Sequence, residues 1–408
     1  MLGWEFPPYF AGGIGMVCYE LSKELARQGE EIIYLMPFGP HNLNPGFLKD
    51  LLIAENLVPG LTIKPIRTGL HAYITEEEYR RNLKSRMLHD NGQRSKRDLY
   101  GANLMEEIHK FAHRAMAIAD FEDFDIIHCH DWLTLPAALG IKQRTGKPLV
   151  LHVHNTVYDR YLSGSNKVEW DIEQRGLKEA DVVIAVSHYI KNTLVSQYDV
   201  DTNKILVIHN AAIPFQGREV PTPRIAKHDK IVLFAGRVTI QKGPDYFVRA
   251  ARIVADHDPN TKFVMAGTGD MLHGMIELAA DMGLSDRFLF SGFYSREDAE
   301  KLFSMASVFV MPSVSEPFGL VPLEAMYKGT PTIISKQSGC SEVLNHVLKV
   351  DFWDIHQLAE KILAVLRHEE LRHELKQHGS MEVRALTWDK SAARVRELYN
   401  SLVHMVRV

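Results

Sequence analysis

Ile231-Val232-Leu233-Phe234-Ala235-Gly236-Arg237-Val238 decides the fold: an unbroken apolar run of strand length ends on a glycine and a fixed positive charge. A run that is apolar on both faces suits a strand covered on both sides, as in a parallel sheet. Downstream the pattern recurs at Phe263-Val264-Met265-Ala266, Phe288-Leu289-Phe290, Val308-Phe309-Val310-Met311 and Thr332-Ile333-Ile334. Upstream it occurs at 32–36, 125–128, 149–153, 181–186 and 204–208. Helices fit between these runs. One is expected at 15–28, with Val17, Leu21 and Leu25 on one face and Gly29 at its end, and another at 133–145. Short apolar strands alternating with helices predict an α/β chain built from doubly wound parallel sheets.

The length of 408 residues exceeds one ordinary core and predicts two domains of about 200 residues each. Residues 209–229 interrupt the alternation, and Pro214, Pro221 and Pro223 punctuate a polar stretch there. The expected division is therefore 1–212, 213–385 and a terminal segment at 386–408, where Ala392, Val395, Leu398 and Leu402 follow Trp388.

A net charge of −4 excludes a general nucleic-acid binder, which needs clustered positive charge. Cys18, Cys129 and Cys340 are far apart without CxxC pairing, which fits a reducing compartment. No apolar run reaches the roughly 18 residues of a membrane span. Met1-Leu2-Gly3-Trp4-Glu5 lacks the basic and apolar regions of a signal peptide and opens inside an expected first strand. A cytoplasmic location and a few further natural residues upstream are expected.

Ligands of doubly wound sheets bind beyond the carboxyl ends of strands, so chemistry is sought there. After 308–311 comes Ser315-Glu316-Pro317-Phe318-Gly319-Leu320-Val321-Pro322-Leu323-Glu324. A helix starting near Gly319 offers free backbone N–H groups, and one carboxylate stands on each side of that start. The plain alternative makes Glu316 a cap and Glu324 a solvated acid of the first turn. After 231–235, Arg237 and Lys242 are positive charges flanked by Gly236 and Gly243, suited to a diphosphate. Gly12, Gly13 and Gly15 lie between the first strand and first helix, a weak phosphate signal without the G-x-G-x-x-G spacing. His128-Cys129-His130-Asp131 and His152-Val153-His154-Asn155 place histidines two apart on strands, a pattern that admits a metal hydrolase. Asp131 equally reads as a helix N-cap, and 20 histidines produce such pairs by chance, so no metal is expected.

These residues carry a resemblance. Gly12-Gly13-Ile14-Gly15, His130-Asp131-Trp132, Val153-His154-Asn155, Asp159-Arg160, Ala180 to Ser187, Gly236-Arg237 with Lys242, and the Glu316 to Glu324 pair resemble retaining glycosyltransferases of the GT-B fold. The group is the broad family 4-like one related to glycogen and starch synthases. The resemblance implies two Rossmann-like domains with a cleft between them and a C-terminal helix crossing back onto the first. It implies that Glu324 holds the ribose hydroxyls and Glu316 the donor sugar. Backbone amides of Phe318, Gly319, Leu320 and Val321 would hold sugar and diphosphate, and Arg237 and Lys242 would neutralise the leaving phosphate. His154 would lie by the donor sugar, with Asp131 nearby, and Gly292-Phe293-Tyr294 would meet the base. Cys340 stands where relatives often have a second glycine, and Asn210-Ala211-Ala212 replaces a more usual Asn-Gly.

The activity so implied is transfer of glucose from UDP- or ADP-glucose, a nucleotide-sugar donor, to an α-1,4-glucan acceptor, with no cofactor. A small sugar, a lipid or a phosphorylated compound is the alternative acceptor. A nucleotide-sugar epimerase or hydrolase, and a binding module without turnover, are readings of other classes. The basic stretch from Tyr79 to Arg97 is expected to form a solvated insertion near the acceptor mouth, with no membrane contact.

Overall fold

The computed structural model describes residues 1–7, 13–37, 45–54, 104–162, 166–215 and 230–407. Gly12, the stretch 79–97 and residues 216–229 of the expected connection lie outside the described residues.

The first half of the chain forms α1 (Gly13–Arg27), β1 (Ile33–Met36), β2 (Asp50–Ile53), α2 (Leu104–Ala119), β3 (Ile127–His130), α3 (Asp131–Thr145) and β4 (Leu149–Val153). It continues with α4 (Val157–Tyr161), α5 (Lys167–Glu179), β5 (Val182–Ala185), α6 (His188–Tyr198) and β6 (Ile205–Val207). The second half forms β7 (Lys230–Ala235), α7 (Pro244–His257), β8 (Thr261–Ala266), α8 (Leu272–Asp281), β9 (Phe288–Gly292), α9 (Arg296–Met305) and β10 (Val308–Met311). Then follow α10 (Leu320–Tyr327), β11 (Thr332–Ser335), β12 (Leu348–Val350), α11 (Ile355–Arg367), α12 (Glu369–Ala385) and α13 (Trp388–Arg407).

Among the described residues, every strand pair is parallel. The second sheet runs β12-β11-β10-β7-β8-β9. Its order reverses between β7 and β10, and that is where a doubly wound sheet opens a crevice for a ligand. The first sheet has the same logic. Leu2 bridges Leu35 of β1 on one side and Cys129 of β3 on the other, joining β2-β1 to β3-β4-β5-β6. Its reversal lies between the chain at Leu2 and β3.

Two readings of the sequence need correction. The strand expected at 125–128 runs from Ile127 to His130, because Asp125 is exposed and Ile126 half-buried while Cys129 and His130 are inside. Asp131 does not precede its helix as a cap. It opens the helix itself with a positive φ of 56°, and its carboxylate reaches the next strand's exit, accepting from the backbone N–H of His154 at 2.6 Å. The short edge strands β2 and β12 were not among the expected runs.

Burial follows the layers. Phe234, Phe247, Phe263 and Ile362 centre the second domain's outer core. On one face of the first sheet, Val17, Leu21 and Leu25 of α1 pack with Val150 and Ile184, and Trp388, Ala392, Val395 and Leu402 of α13 join the same cluster. The final helix thus returns to the first domain. Among the described residues, no helix is long and apolar enough to cross a membrane.

Candidate active site

The chain reversal in the second sheet brings the loops after β7 and β10 side by side. From the first comes Lys242 and from the second Glu316, and the Lys242 ammonium forms an ion pair with the Glu316 carboxylate. Both side chains are largely buried, and Ser313 Oγ adds a donor to the same Glu316 oxygen at 3.3 Å. The Arg237 guanidinium donates to Gln241 Oε1 at 3.3 Å, and the Gln241 carbonyl in turn holds Val314 N at 2.9 Å. The positive loop and the acidic loop are therefore stitched together by side chain and backbone.

The Glu316 backbone is fixed as well. Its N–H donates to the Gln337 carbonyl at 3.0 Å, its carbonyl accepts from Gly339 at 2.9 Å, and Cys340 N–H donates to the Phe318 carbonyl at 2.7 Å. Gly319 precedes α10 with φ of 100°, and a Cβ there would stand 3.1–3.3 Å from Glu316, Cys340 and Met311. Only glycine fits both the angle and the space. Having no side chain, Gly319 leaves the N–H groups at the start of α10 uncapped. Cys340, the departure noted in the sequence, packs against this turn, and burial pushes its thiol up to about 12.

Glu324 lies in the second turn of α10. Burial pushes its carboxyl above the ordinary carboxylate value, against the opposing pull of Arg296, whose Nη1 stands 3.1 Å from Oε1. Tyr294 lies beside it, its phenol raised by burial and then by the Glu324 charge. Phe293, two residues before Ser295, is instead 80% exposed. From the first domain, Gly13 opens α1 close enough to Leu320 that a Cβ would meet Leu320 Cδ1 at 3.0 Å, and Gly15 is buried within α1. Phe318 is buried, and Leu320 and Val321 are partly so.

His154 belongs to a buried array. His128 Nε2 lies 3.2 Å from His152 Nδ1, and His130 Nδ1 lies 2.9 Å from His154 Nε2. These contacts set each pair edge to edge, and the pairs stack, with His128 over His130 and His152 over His154 at 4.6 and 4.3 Å between centroids. Tyr399 of α13 meets His128 Nδ1 at the outer end. Burial lowers the pKa of all four, so they are neutral. His128, His130 and His152 bring ligand atoms within 4.8 Å of one another.

Several contacts that close the cleft carried no signal in the sequence. Ser187 Oγ donates to the Pro317 carbonyl at 2.6 Å, and Ser315 Oγ donates to Asp159 Oδ1 at 2.8 Å. Glu342 of the second domain accepts from the backbone N–H of His188 and Tyr189, capping α6 of the first, and meets His209 at 2.8 Å. Ser187 also caps α6 through Ile190 N–H, and its bond to Pro317 is a property of tertiary structure alone.

Comparison with known proteins gives a consistent setting. The family of glycosyl transferases group 1 matches residues 217–381, and glycosyltransferase family 4 matches residues 11–212. An uncharacterized glycosyltransferase of Methanocaldococcus jannaschii is 29% identical over 360 residues, 85% of this chain and 82% of that one. A D-inositol 3-phosphate glycosyltransferase of Streptomyces scabiei is 26% identical over 422 residues, 97% of this chain and 87% of that one. Among solved structures, sucrose-phosphate synthase from Thermosynechococcus elongatus superposes with a TM-score of 0.73 at 21% identity, covering 99% of this chain and 98% of that one.

Proposed function

The chain is a family 4 glycosyltransferase of the GT-B fold, and from that premise we propose that it moves a hexose from a nucleotide sugar to a hydroxyl acceptor with retention at the anomeric carbon. The observation that carries this reading is the Lys242–Glu316 pair at the uncapped start of α10, with Glu324 one turn further in. A diphosphate fits on the helix N–H groups between Lys242 and Arg237, where fixed positive charge meets developing negative charge without reorganisation. Glu316 then borders the hexose and Glu324 the ribose. UDP- or ADP-glucose is the proposed donor.

The anomeric carbon–phosphate oxygen bond breaks, giving an oxocarbenium-like sugar and a nucleoside diphosphate. The acceptor oxygen attacks from the face the phosphate leaves, and the acceptor proton passes to the departing phosphate oxygen. His154 and Asp131, on the first domain's side, border the donor sugar. Closure of the cleft by Ser187–Pro317 and Ser315–Asp159 excludes water that would hydrolyse the donor.

Two acceptor classes stand. The α-1,4-glucan end is the sequence expectation. The name of the Streptomyces relative favours a small phosphorylated polyol, and we place that class first. The test is a panel of nucleotide glucoses crossed with inositol phosphates, hexose phosphates, maltooligosaccharides and glycogen, with product linkage read by NMR. An α-linked product on one acceptor is expected. A β-linked product, or rapid sugar isomerisation without any acceptor, would overturn the reading.

A further inference from the structure

We infer that Arg296 is the positioning residue that holds Glu324 for the nucleotide's ribose. This rests on the reading of Glu324 given above and adds to it a residue that no motif supplies. Arg296 opens α9, directly after Ser295, whose capping box with Asp298 fixes the helix start. Its Nη1 meets Glu324 Oε1 at 3.1 Å, while Nη2 donates to the carbonyls of Ile213 and Pro214 at 3.1 and 3.2 Å. The guanidinium also lies 4.9 Å over the ring of Phe215. Two carbonyls and one aromatic face leave this planar fork little freedom, so it presents Nη1 to Glu324 from a set direction.

The chemistry of the carboxylate makes this matter. A ribose diol donates O–H groups, so its partner must be an acceptor, and an ionised carboxylate offers about four acceptor sites whereas a protonated acid gives up one to its own hydrogen. Arg296 takes one site on Oε1 and leaves the rest. Burial alone pushes Glu324 toward its protonated form, and the Arg296 charge opposes that. Arg296 therefore does two things for one contact: it favours the ionised form of Glu324 and keeps it aimed. The same guanidinium is anchored to residues 213–215, the described part of the passage out of the first domain. The ribose contact is thus tied to the chain that joins the two domains.

The test measures binding by calorimetry for UDP and 2′-deoxy-UDP, and for ADP and 2′-deoxy-ADP, with the wild-type chain, Arg296→Gln and Arg296→Lys. The wild type is expected to prefer the ribonucleotide by about tenfold or more, the scale of a hydrogen bond to a charged group. Arg296→Gln should bind the ribonucleotide about tenfold more weakly and the deoxynucleotide almost unchanged, so that the preference falls below about threefold. Arg296→Lys, which keeps the charge without the fork, should retain part of it. Equal weakening of both nucleotides by Arg296→Gln would make Arg296 a structural link only, and an unchanged preference would remove it from the contact; either overturns the inference. A wild type that does not distinguish the two nucleotides would instead overturn the assignment of Glu324 to the ribose.

Discussion

Ser315 Oγ donates to Asp159 Oδ1 across 2.8 Å, joining the loop that carries Glu316 to the short helix α4 of the other domain. Both residues are almost completely buried. Burial raises the Asp159 carboxyl, and the hydroxyls of Thr156 and Ser315 act against that. Ser315→Ala leaves one Asp159 oxygen without this donor in the closed cleft, at a cost of about 1–3 kcal/mol. We expect kcat/KM to fall roughly tenfold, with Ser315→Thr recovering most of the loss. Unchanged steady-state kinetics in Ser315→Ala would mean that turnover does not pass through this closed arrangement.

Lys242 pairs with the buried Glu316 carboxylate beside the start of α10. Lys242→Ala removes a charge meant for the leaving group and leaves Glu316 buried beside Ser313 alone. We expect turnover to fall by about a hundredfold or more, and Arg237→Ala by a similar order, as loss of a charge-stabilising donor does. Nucleotide affinity should fall less than kcat. A loss under about threefold in kcat would count against the roles given to both residues.

The four stacked histidines make stability depend on pH. Each ordinarily titrates at 6.5, and burial keeps each neutral in the folded chain, so the unfolded chain binds more protons once the pH drops below that value. Stability is therefore full above 6.5 and is lost as pH falls through it. One unit lower, each of His128, His130 and His152, which burial holds well below the ordinary value, costs about 1.4 kcal/mol. Thermal unfolding followed from pH 8 to pH 5.5 should show a steep drop in midpoint, and His152→Asn should flatten it. A midpoint independent of pH over this range would show that the array already carries a proton when folded.

How far the sequence reveals this molecule depends on whether burial leaves a mark on residue type. β7, β8 and β10 are legible because residues 231–235, 263–266 and 308–311 are unbroken apolar runs, buried throughout. β3 was expected at 125–128, two residues early, since His128 and His130 are polar letters at buried strand positions and pair there with His152 and His154 on the next strand. Lys242 and Glu316 are 74 residues apart, yet both were expected at the site, because each follows the carboxyl end of a strand. Arg296 and Glu342 were not. Their partners are backbone groups and carboxylates of distant segments, and nothing in a local window distinguishes them from solvated charges of a helix start.

In the proposed reading, the positive charge of Lys242 and Arg237 does at the leaving phosphate what a divalent cation could do. We therefore expect activity to persist in EDTA at concentrations that strip adventitious zinc and magnesium. Abolition by the chelator, with recovery on adding one metal, would assign the leaving-group charge to a metal instead and reduce the two basic residues to support.

The final helix gives a test of what holds the first domain together. α13 meets α1 in two ways. At the surface, Arg27 pairs with Asp389 and Arg396 with Glu30, while below them Trp388, Ala392, Val395 and Leu402 enter the core beside Leu21 and Leu25. The surface pairs are open to water, where side-chain entropy and screening cancel most of the attraction. Trp388 is 5% exposed, so its removal loses a large apolar area and leaves a cavity. Trp388→Ala should destabilise the fold by about 3–5 kcal/mol, whereas Asp389→Ala should leave the denaturation midpoint within error. Denaturant unfolding of the two variants decides between them. If Asp389→Ala proved the more damaging, the helix would be held by its charges, and its return to the first domain would be sensitive to salt; apolar burial predicts that it is not.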